Sequence, residues 1–408
     1  MSENDELLKK IIEIGISLSS IHDIEKLLDQ ILLESRRIAR ADSGSIYLVE
    51  GDRLNFKISQ NDTLVRRWGQ ERFNRSFSVF SMEISERSMA GYVVLHGDLL
   101  KIDDVQNLPP GSPYRYNASF DRHNDYVTRS MISIPLKNKS NQVIGVLQLI
   151  NAMENGEVVS FNPAYESILT SLASQAAVAL ENVILQDRIR EAHLDTIVRL
   201  GIAAEFRDKE TSSHIKRVSL YCELLARHLG WDRKRIEVIR FATPMHDVGK
   251  VGIPDSILHK PGPFNPEERR IMEYHTVIGA MILKYSNDEL IRASRVVALT
   301  HHEKWDGTGY PRRLAGEEIP VEGRIAALAD VFDALSTKRV YKEAFSEDKT
   351  CRIIRSERGK LFDPELVDIF FDNYPEFLAI RQQFSDQEHE LDFFRSVDQI
   401  DLEELARY

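Results

Sequence analysis

Cysteine is scarce in this chain. Its 408 residues hold two, Cys222 and Cys351, far apart and outside any metal-type spacing. That excludes a disulfide scaffold and a thiolate zinc site, and it fits a reducing cytoplasm. Long apolar runs are missing too. No stretch approaches the ~20 residues needed to span a bilayer, so neither a membrane-spanning chain nor a membrane partner is expected. The start, MSENDELLKK, lacks the basic and apolar segments of a secretory leader, so none is expected. A basic surplus is absent as well: 53 Lys and Arg stand against 64 Asp and Glu, a net charge of −11. This disfavours a DNA or RNA polymer as partner. It leaves room for a small anion, because a few local cations or metal ions override the global field.

The length exceeds one ordinary core and fits two domains plus a connecting helix. From Leu7 to Ile38 apolar residues recur at helical spacing. In SIYLVEGDRLNFKIS, Leu54, Phe56 and Ile58 alternate with polar residues and Gly51-Asp52 supplies a turn, which reads as a hairpin. A second hairpin is read in SMISIPLKNKSNQVIGVLQLIN, with its turn at Asn138 to Gln142. Between them the stretch around Pro109-Pro110-Gly111-Ser112-Pro113 is irregular and is expected to cover a pocket. A long helix is expected from near Phe161 to about Arg207. Leu169, Leu172, Ala176, Ala179 and Val183 keep a heptad register, which suits a coiled coil between two protomers or a helix packed on its own domain. Beyond Val198 the pattern is almost wholly helical.

Histidines beside acidic residues mark that helical half. Glu210 and His214 stand four apart, on one helical face. His246-Asp247 follows in RFATPMHDVGK, read as a buried helix, then His275 in MEYHTVIGA, His301-His302, and Asp330 among Ile325, Leu328 and Val331. A carboxylate on an apolar stripe is expensive to bury without a cation. Each residue alone reads better as a satisfied core polar group. Jointly, five histidines and three carboxylates on successive helices are hard to explain without metal. The nitrogen and oxygen donor set suits iron, manganese or zinc.

The strings HDVGKVGIPDSILHKPG, HHEKWDGTGYPRRLAGEEIP and ADVFDALSTKRVYKEAF resemble, in that order, the HD-GYP family of cyclic di-GMP phosphodiesterases, over about Thr196 to Tyr374. The resemblance implies an all-α domain in which His246, Asp247, His275, His301, His302 and Asp330 form a di-metal core bridged by Asp247. Glu210 and His214 would help hold a third metal, with Asp208 close by. Iron is implied, two or three ions per chain, with manganese as substitute. Lys250, Arg339 and Lys342 match phosphate-binding positions, and Tyr310 of Gly309-Tyr310-Pro311 could contact a guanine or simply pack. Gly307 and Gly309 are expected to permit turns closed to other residues. Arg312-Arg313 stand in a segment where many members have a glycine.

The front half resembles a GAF domain, an antiparallel sheet with flanking helices, chiefly through IGVLQLIN and Phe161. Cyclic-nucleotide-binding members carry an Asn-Lys and Phe-x-x-x-Asp-Glu pattern. Here Asn151, Phe161 and Glu166 fit, while Ala152 and Tyr165 replace the lysine and aspartate, so the ligand of this domain is unknown. The expected layout is a GAF-like sensor over residues 1–165, a linker helix over 166–195, an HD-GYP catalytic domain over 196–375 and a helical tail over 376–408. The expected activity is hydrolysis of cyclic di-GMP to pGpG, or on to GMP, by a metal-bridged hydroxide in the cytoplasm, with regulation by the front domain and a homodimer through the linker helix. The alternatives are a non-catalytic cyclic di-GMP sensor and an HD phosphohydrolase acting on another nucleotide.

Overall fold

The computed structural model describes residues 13–21, 23–76, 80–208, 212–337 and 344–384. Glu210, Arg339, Lys342 and the tail from residue 385 lie outside the described residues. The chain divides into two compact units, Met1–Arg190 and Glu191–Tyr408.

The first unit is built on one antiparallel sheet. Strands β1 (Ala41–Glu50), β2 (Arg53–Asn61), β3 (Ser81–Glu83), β4 (Leu100–Ile102), β5 (Met131–Lys137) and β6 (Val143–Glu154) run in the order β3-β2-β1-β6-β5-β4, and β7 (Glu157–Val159) pairs with β6. Both expected hairpins are present. Glu50 pairs with Arg53 across Gly51-Asp52, and the Asn138 side chain closes the second turn by accepting from Ser140 N and Gln142 N. Period-two alternation gives the sheet two apolar faces. Ile46, Leu48, Leu147 and Leu149 pack under helices α1 (Ile24–Ala39) and α2 (Glu166–Phe206). Tyr47, Phe56 and Val146 form a smaller cluster on the other face. There a cavity of about 540 Å³ is lined by Ser43, Ser45, Tyr116 and Gln148. A second, of about 780 Å³, is lined by Pro109, Gly111 and Ser112, the irregular segment of the sequence.

Helix α2 starts at Glu166 rather than Phe161, because Phe161 is buried in the core and Asn162 caps a short 3-10 turn over Pro163–Tyr165. Its heptad residues Leu169, Leu172, Ala176, Ala179 and Val183 fill the unit's own core. The stretch Pro163–Phe206 holds an 18-residue window of mean hydropathy 1.5, long and apolar enough to cross a bilayer by length and composition, with 44% of that window buried. Leu169, Leu172, Ala176 and Leu180 of this stretch pack into the core, while Leu185, Ile189 and Leu200 stay exposed. Asn151, at φ 56, accepts from Arg129 N and donates to Tyr126 Oη and Val127 O, so its amide is fully used in tying the segment before β5 to β6.

The second unit is helical: α3 (Ser212–His228), α4 (Arg233–Ala242), α5 (Pro266–Ile282), α6 (Glu289–Thr300) and α7 (Val321–Ser336), followed by shorter helices to Gln383. Helix α3 packs on α4 and α7, and α6 packs on α4, α5 and α7. Tyr221, Leu225, Leu328, Phe332 and Phe370 form the core. One expectation is corrected here. His246-Asp247 does not lie in an α-helix. Pro244 has no N–H to continue α4, and two 3-10 turns, Thr243–Met245 and Val248–Gly252, flank the pair.

Candidate metal centre

Six segments of the second unit bring polar side chains to one place. The last turn of α2 carries Glu205, α3 carries His214, and the broken turn carries His246, Asp247 and Lys250. His275 comes from α5, His301 and His302 from the end of α6, and Asp330 from α7. Three overlapping sets have donor atoms within 4.8 Å of one another: Asp247, His275, His301 and His302; His214, His246 and Asp330; and Glu205, His246 and Asp247. Asp247 lies at the middle. Its Oδ1 is 3.1 Å from His275 Nε2 and 3.3 Å from His301 Nε2, and its Oδ2 is 3.4 Å from His246 Nε2. His214 Nε2 is 3.7 Å from Asp330 Oδ1.

The far nitrogens of the rings fix their direction. Nδ1 of His246 donates to Thr243 O (2.9 Å), that of His275 to Met272 O (2.6 Å), that of His301 to Val297 O (3.0 Å) and that of His214 to Asp333 Oδ2 (2.8 Å). Carbonyl and carboxylate oxygens only accept, so each ring spends its Nδ1–H there and turns Nε2 inward. His275 Nε2 and His301 Nε2 stand 3.5 Å apart. Two lone pairs at that distance repel unless a proton or a cation lies between them. His302 is held by rings, 4.0 Å from His301 and 4.8 Å from Tyr310, centre to centre.

Charge points the same way. The carboxylates of Glu205, Asp208 and Asp247 surround Lys250, whose Nζ is 2.6 Å from Asp208, 2.7 Å from Asp247 and 3.4 Å from Glu205. Burial opposes the charges of Glu205, Asp247 and Lys250, yet Asp247 stays well below the usual carboxylate range beside Lys250 and His246. Burial also works against a charge on His246, but Asp247, Glu205 and Asp330 outweigh it and push its pKa up to about 10. His302 goes the other way: burial and the adjacent His301 hold it neutral, well below the usual imidazole range. Glu205 Oε1, His246 Nε2 and Asp247 Oδ1 are buried with no hydrogen-bond partner. Buried polar atoms are almost always paired. Three orphans converging in an all-nitrogen-and-oxygen set fit a divalent metal ion such as iron, manganese or zinc.

Three residues escaped the sequence reading. Glu205 is 1% exposed and joins the site from α2. Asp333, on α7, takes both His214 Nδ1 and Arg217, whose Nε and terminal nitrogen lie 2.6 and 2.9 Å away. Glu303 is buried and accepts from Arg312 N and Leu314 N at 2.7 and 3.0 Å, which ties down the segment after Tyr310. The signal for Asp333 was its place one turn after Asp330 on an apolar helix. The other two carried none. Gly307 is at φ 78, as a turn requires. Gly309 serves close approach instead, since a Cβ there would meet Glu303 Cα at 2.6 Å. Arg207, next after the end of α2, donates to the carbonyls of Lys250, Val251 and Ile253, so it grips the turn that carries Lys250.

Comparison with known proteins agrees with both halves. The HD domain family matches residues 202–366 and the GAF domain family residues 23–180. The chain is 45% identical over 206 residues, 50% of its length and 40% of the relative's, to the 3'3'-cGAMP-specific phosphodiesterase 2 of Vibrio cholerae. It is 41% identical to the cyclic di-GMP phosphodiesterase response regulator RpfG of Xanthomonas campestris, over 52% of this chain and 56% of that one. It is 43% identical to a cyclic di-GMP phosphodiesterase of Thermotoga maritima, over 46% and 51%. The chain thus spans about half the length of the curated relatives it matches. The chain therefore pairs a GAF domain, residues 23–180, with an HD domain, residues 202–366.

Proposed function

We propose that this chain is a metal-dependent phosphodiesterase that opens cyclic di-GMP to linear pGpG, and that the same site can carry the product on to GMP. One observation supports this above the others: the Nε2 lone pairs of four buried histidines converge with Asp247, Asp330 and Glu205 on a point where three polar atoms lack partners. Divalent cations bound there, iron by preference and manganese as substitute, would polarise the phosphodiester and lower the pKa of a water molecule toward neutrality. His214, His246, His275, His301, His302, Asp247 and Asp330 would hold two ions, with Glu205 or Glu210 serving a third.

The protein groups do the rest. The Nδ1 anchors of His214, His246, His275 and His301 fix the direction of each ring, so none has to reorient during turnover. Lys250 keeps its proton, because Asp247, Glu205 and Asp208 outweigh the burial that would remove it. Its ammonium would hold a phosphate oxygen or assist the departing ribose oxygen by its charge. Arg339 and Lys342 belong to the phosphate-binding set by resemblance. Tyr310, half-buried beside His302, offers a ring face to a guanine.

The GAF domain regulates through α2. That helix fills the GAF core with Leu172 and Leu180, carries Glu205 in its last turn and is followed by Arg207. A homodimer through the same helix would use Leu185, Ile189 and Leu200, which stay exposed.

Protein purified without oxygen, assayed for metal and incubated with cyclic di-GMP and with 3'3'-cGAMP, tests the reading. Release of pGpG, with two or three metal ions per chain, is expected. Faster opening of 3'3'-cGAMP would favour the second reading, which the name of the 45% identical relative supports. No turnover of either dinucleotide by iron- or manganese-loaded protein defeats both.

A further inference from the structure

On the other side of Tyr310 from His302, a groove of about 550 Å³ is lined by Arg269, Arg270, Lys304 and Arg313, with Glu273 and Tyr274. Four cations here meet one carboxylate, in a chain whose net charge is −11. Arg269 is matched, its Nε 3.2 Å from Glu273. Among the described residues, no carboxylate lies within ion-pair distance of Arg270, Lys304 or Arg313, though the charge of Asp306 acts on Lys304. Unmatched cations gathered in a concave site raise the local concentration of anions, where scattered surface lysines would not.

Arg313 adds an independent sign. Its backbone sits at φ 59, a left-handed conformation that favours glycine and is costly for a residue with a Cβ. Glu303 holds this stretch from beneath through Leu314 N and Arg312 N, leaving the arginine side chain exposed. An exposed side chain kept on an unfavourable backbone, with no carboxylate to bind, points to work done outside the fold. The walls fit a planar partner. Tyr274 is 49% exposed, and Tyr310 forms the wall shared with the metal centre.

Cations for phosphate and tyrosine rings for a base are the elements of nucleotide recognition. We propose that this groove is a nucleotide subsite: Arg270, Lys304 and Arg313 take a phosphate, and Tyr274 and Tyr310 flank a purine. It holds the half of a cyclic dinucleotide remote from the metal centre, so it sets affinity and base preference rather than the chemical step. In that use it rests on the phosphodiesterase reading.

The test compares the full chain with its R270Q/K304Q/R313G variant, in which R313G restores a residue suited to the left-handed backbone. GMP binding is measured by calorimetry on chelator-treated protein, so the metal centre takes no part. The expected result is binding that the variant weakens by about tenfold or more, and that the intact chain loses as salt rises. On metal-loaded protein, KM for cyclic di-GMP should rise about tenfold while kcat stays within about twofold and the metal count is unchanged. Equal GMP affinity in the two proteins, or no detectable binding to either, overturns the subsite even if both hydrolyse cyclic di-GMP. Should neither hydrolyse any cyclic dinucleotide, the phosphodiesterase reading fails alone, and a tenfold loss of GMP binding in the variant still supports the subsite.

Discussion

Asp333→Asn should damage this protein more than any change of one atom on its surface. Asp333 and Arg217 are each 1% exposed, and they form a two-point ion pair of 2.6 and 2.9 Å, with His214 Nδ1 on the same carboxylate at 2.8 Å. Burial opposes the Asp333 charge, yet His214 and Arg217 hold its pKa down to about 2, so it is ionised at every working pH. Asparagine keeps one acceptor and puts an NH2 group where Arg217 or His214 needs an oxygen. Removing one charge of a buried pair costs about 3–5 kcal/mol, because the survivor is left uncompensated. The retained acceptor places the expected loss near the lower end, about 3 kcal/mol. For a unit of roughly 200 residues that lowers Tm by about 6–12 °C. Scanning calorimetry of the full chain reads this as a shift of the HD-domain transition, with the GAF transition unmoved. A second readout separates fold from site: with its Nδ1 anchor lost, His214 should bind metal about 10–100-fold more weakly. The double variant Asp333→Leu with Arg217→Met, which buries no lone charge, should recover most of the Tm and none of the metal affinity. A single-variant Tm within about 2 °C of the parent, with unchanged metal affinity, would refute the reasoning.

Glu205→Gln should lower the affinity for one ion by about tenfold and leave the others bound, since an amide oxygen is a poorer ligand than a carboxylate; metal counting after dialysis against a weak chelator checks it, and an unchanged count removes Glu205 from the ligand set. Cys222 is fully buried and its thiol is pushed up to about 12 by that burial, whereas Cys351 is partly exposed. A thiolate-directed reagent at about pH 8 should therefore label one cysteine in the folded chain and both in denaturant. Gly309→Ala drives a Cβ toward Glu303 Cα and should cost about 1–3 kcal/mol by overpacking, with a raised KM from displacement of Tyr310. A variant with parental Tm and KM would show that the loop has room to spare.

How much of this was legible beforehand depends on how far apart the interacting residues lie. The two hairpins were readable because Gly51-Asp52 and the Asn138 turn close them locally. The sheet order was not. Its central pairing joins β1 to β6, Ser43 to Ile150 and Leu48 to Gly145, about a hundred residues apart, and neither strand carries a mark of its partner. The heptad in α2 was ambiguous for a different reason. Leu169, Leu172 and Ala176 serve a coiled coil or a domain core equally well, and the facing residues Ile31, Leu32 and Leu149 decide for the core. At His246-Asp247 the sequence did carry the answer: Pro244 ends α4 two residues earlier, and the apolar run around it concealed the break.

The metal centre shows why its ligands were easier to read than their supports. His214 and Arg217 lie one turn apart on α3, and Asp330 and Asp333 one turn apart on α7, so two facing helices present two matched polar pairs. The deeper pair, Arg217 and Asp333, satisfies itself: both charges are cancelled, and its carboxylate is filled by the guanidinium and His214. The outer pair does not. His214 Nε2 and Asp330 Oδ1 stand 3.7 Å apart, too far to bond and close enough to share a cation. A motif records the residues that touch the ligand, so His214 and Asp330 stood out while Arg217 and Asp333 passed for ordinary helix charges. The coordinates separate the roles by a simple balance. Where donors and acceptors cancel, as at Asp333, a polar cluster is part of the fold. Where they are left over, as at His246 Nε2, Asp247 Oδ1 and Glu205 Oε1, the surplus is what a cation comes to fill.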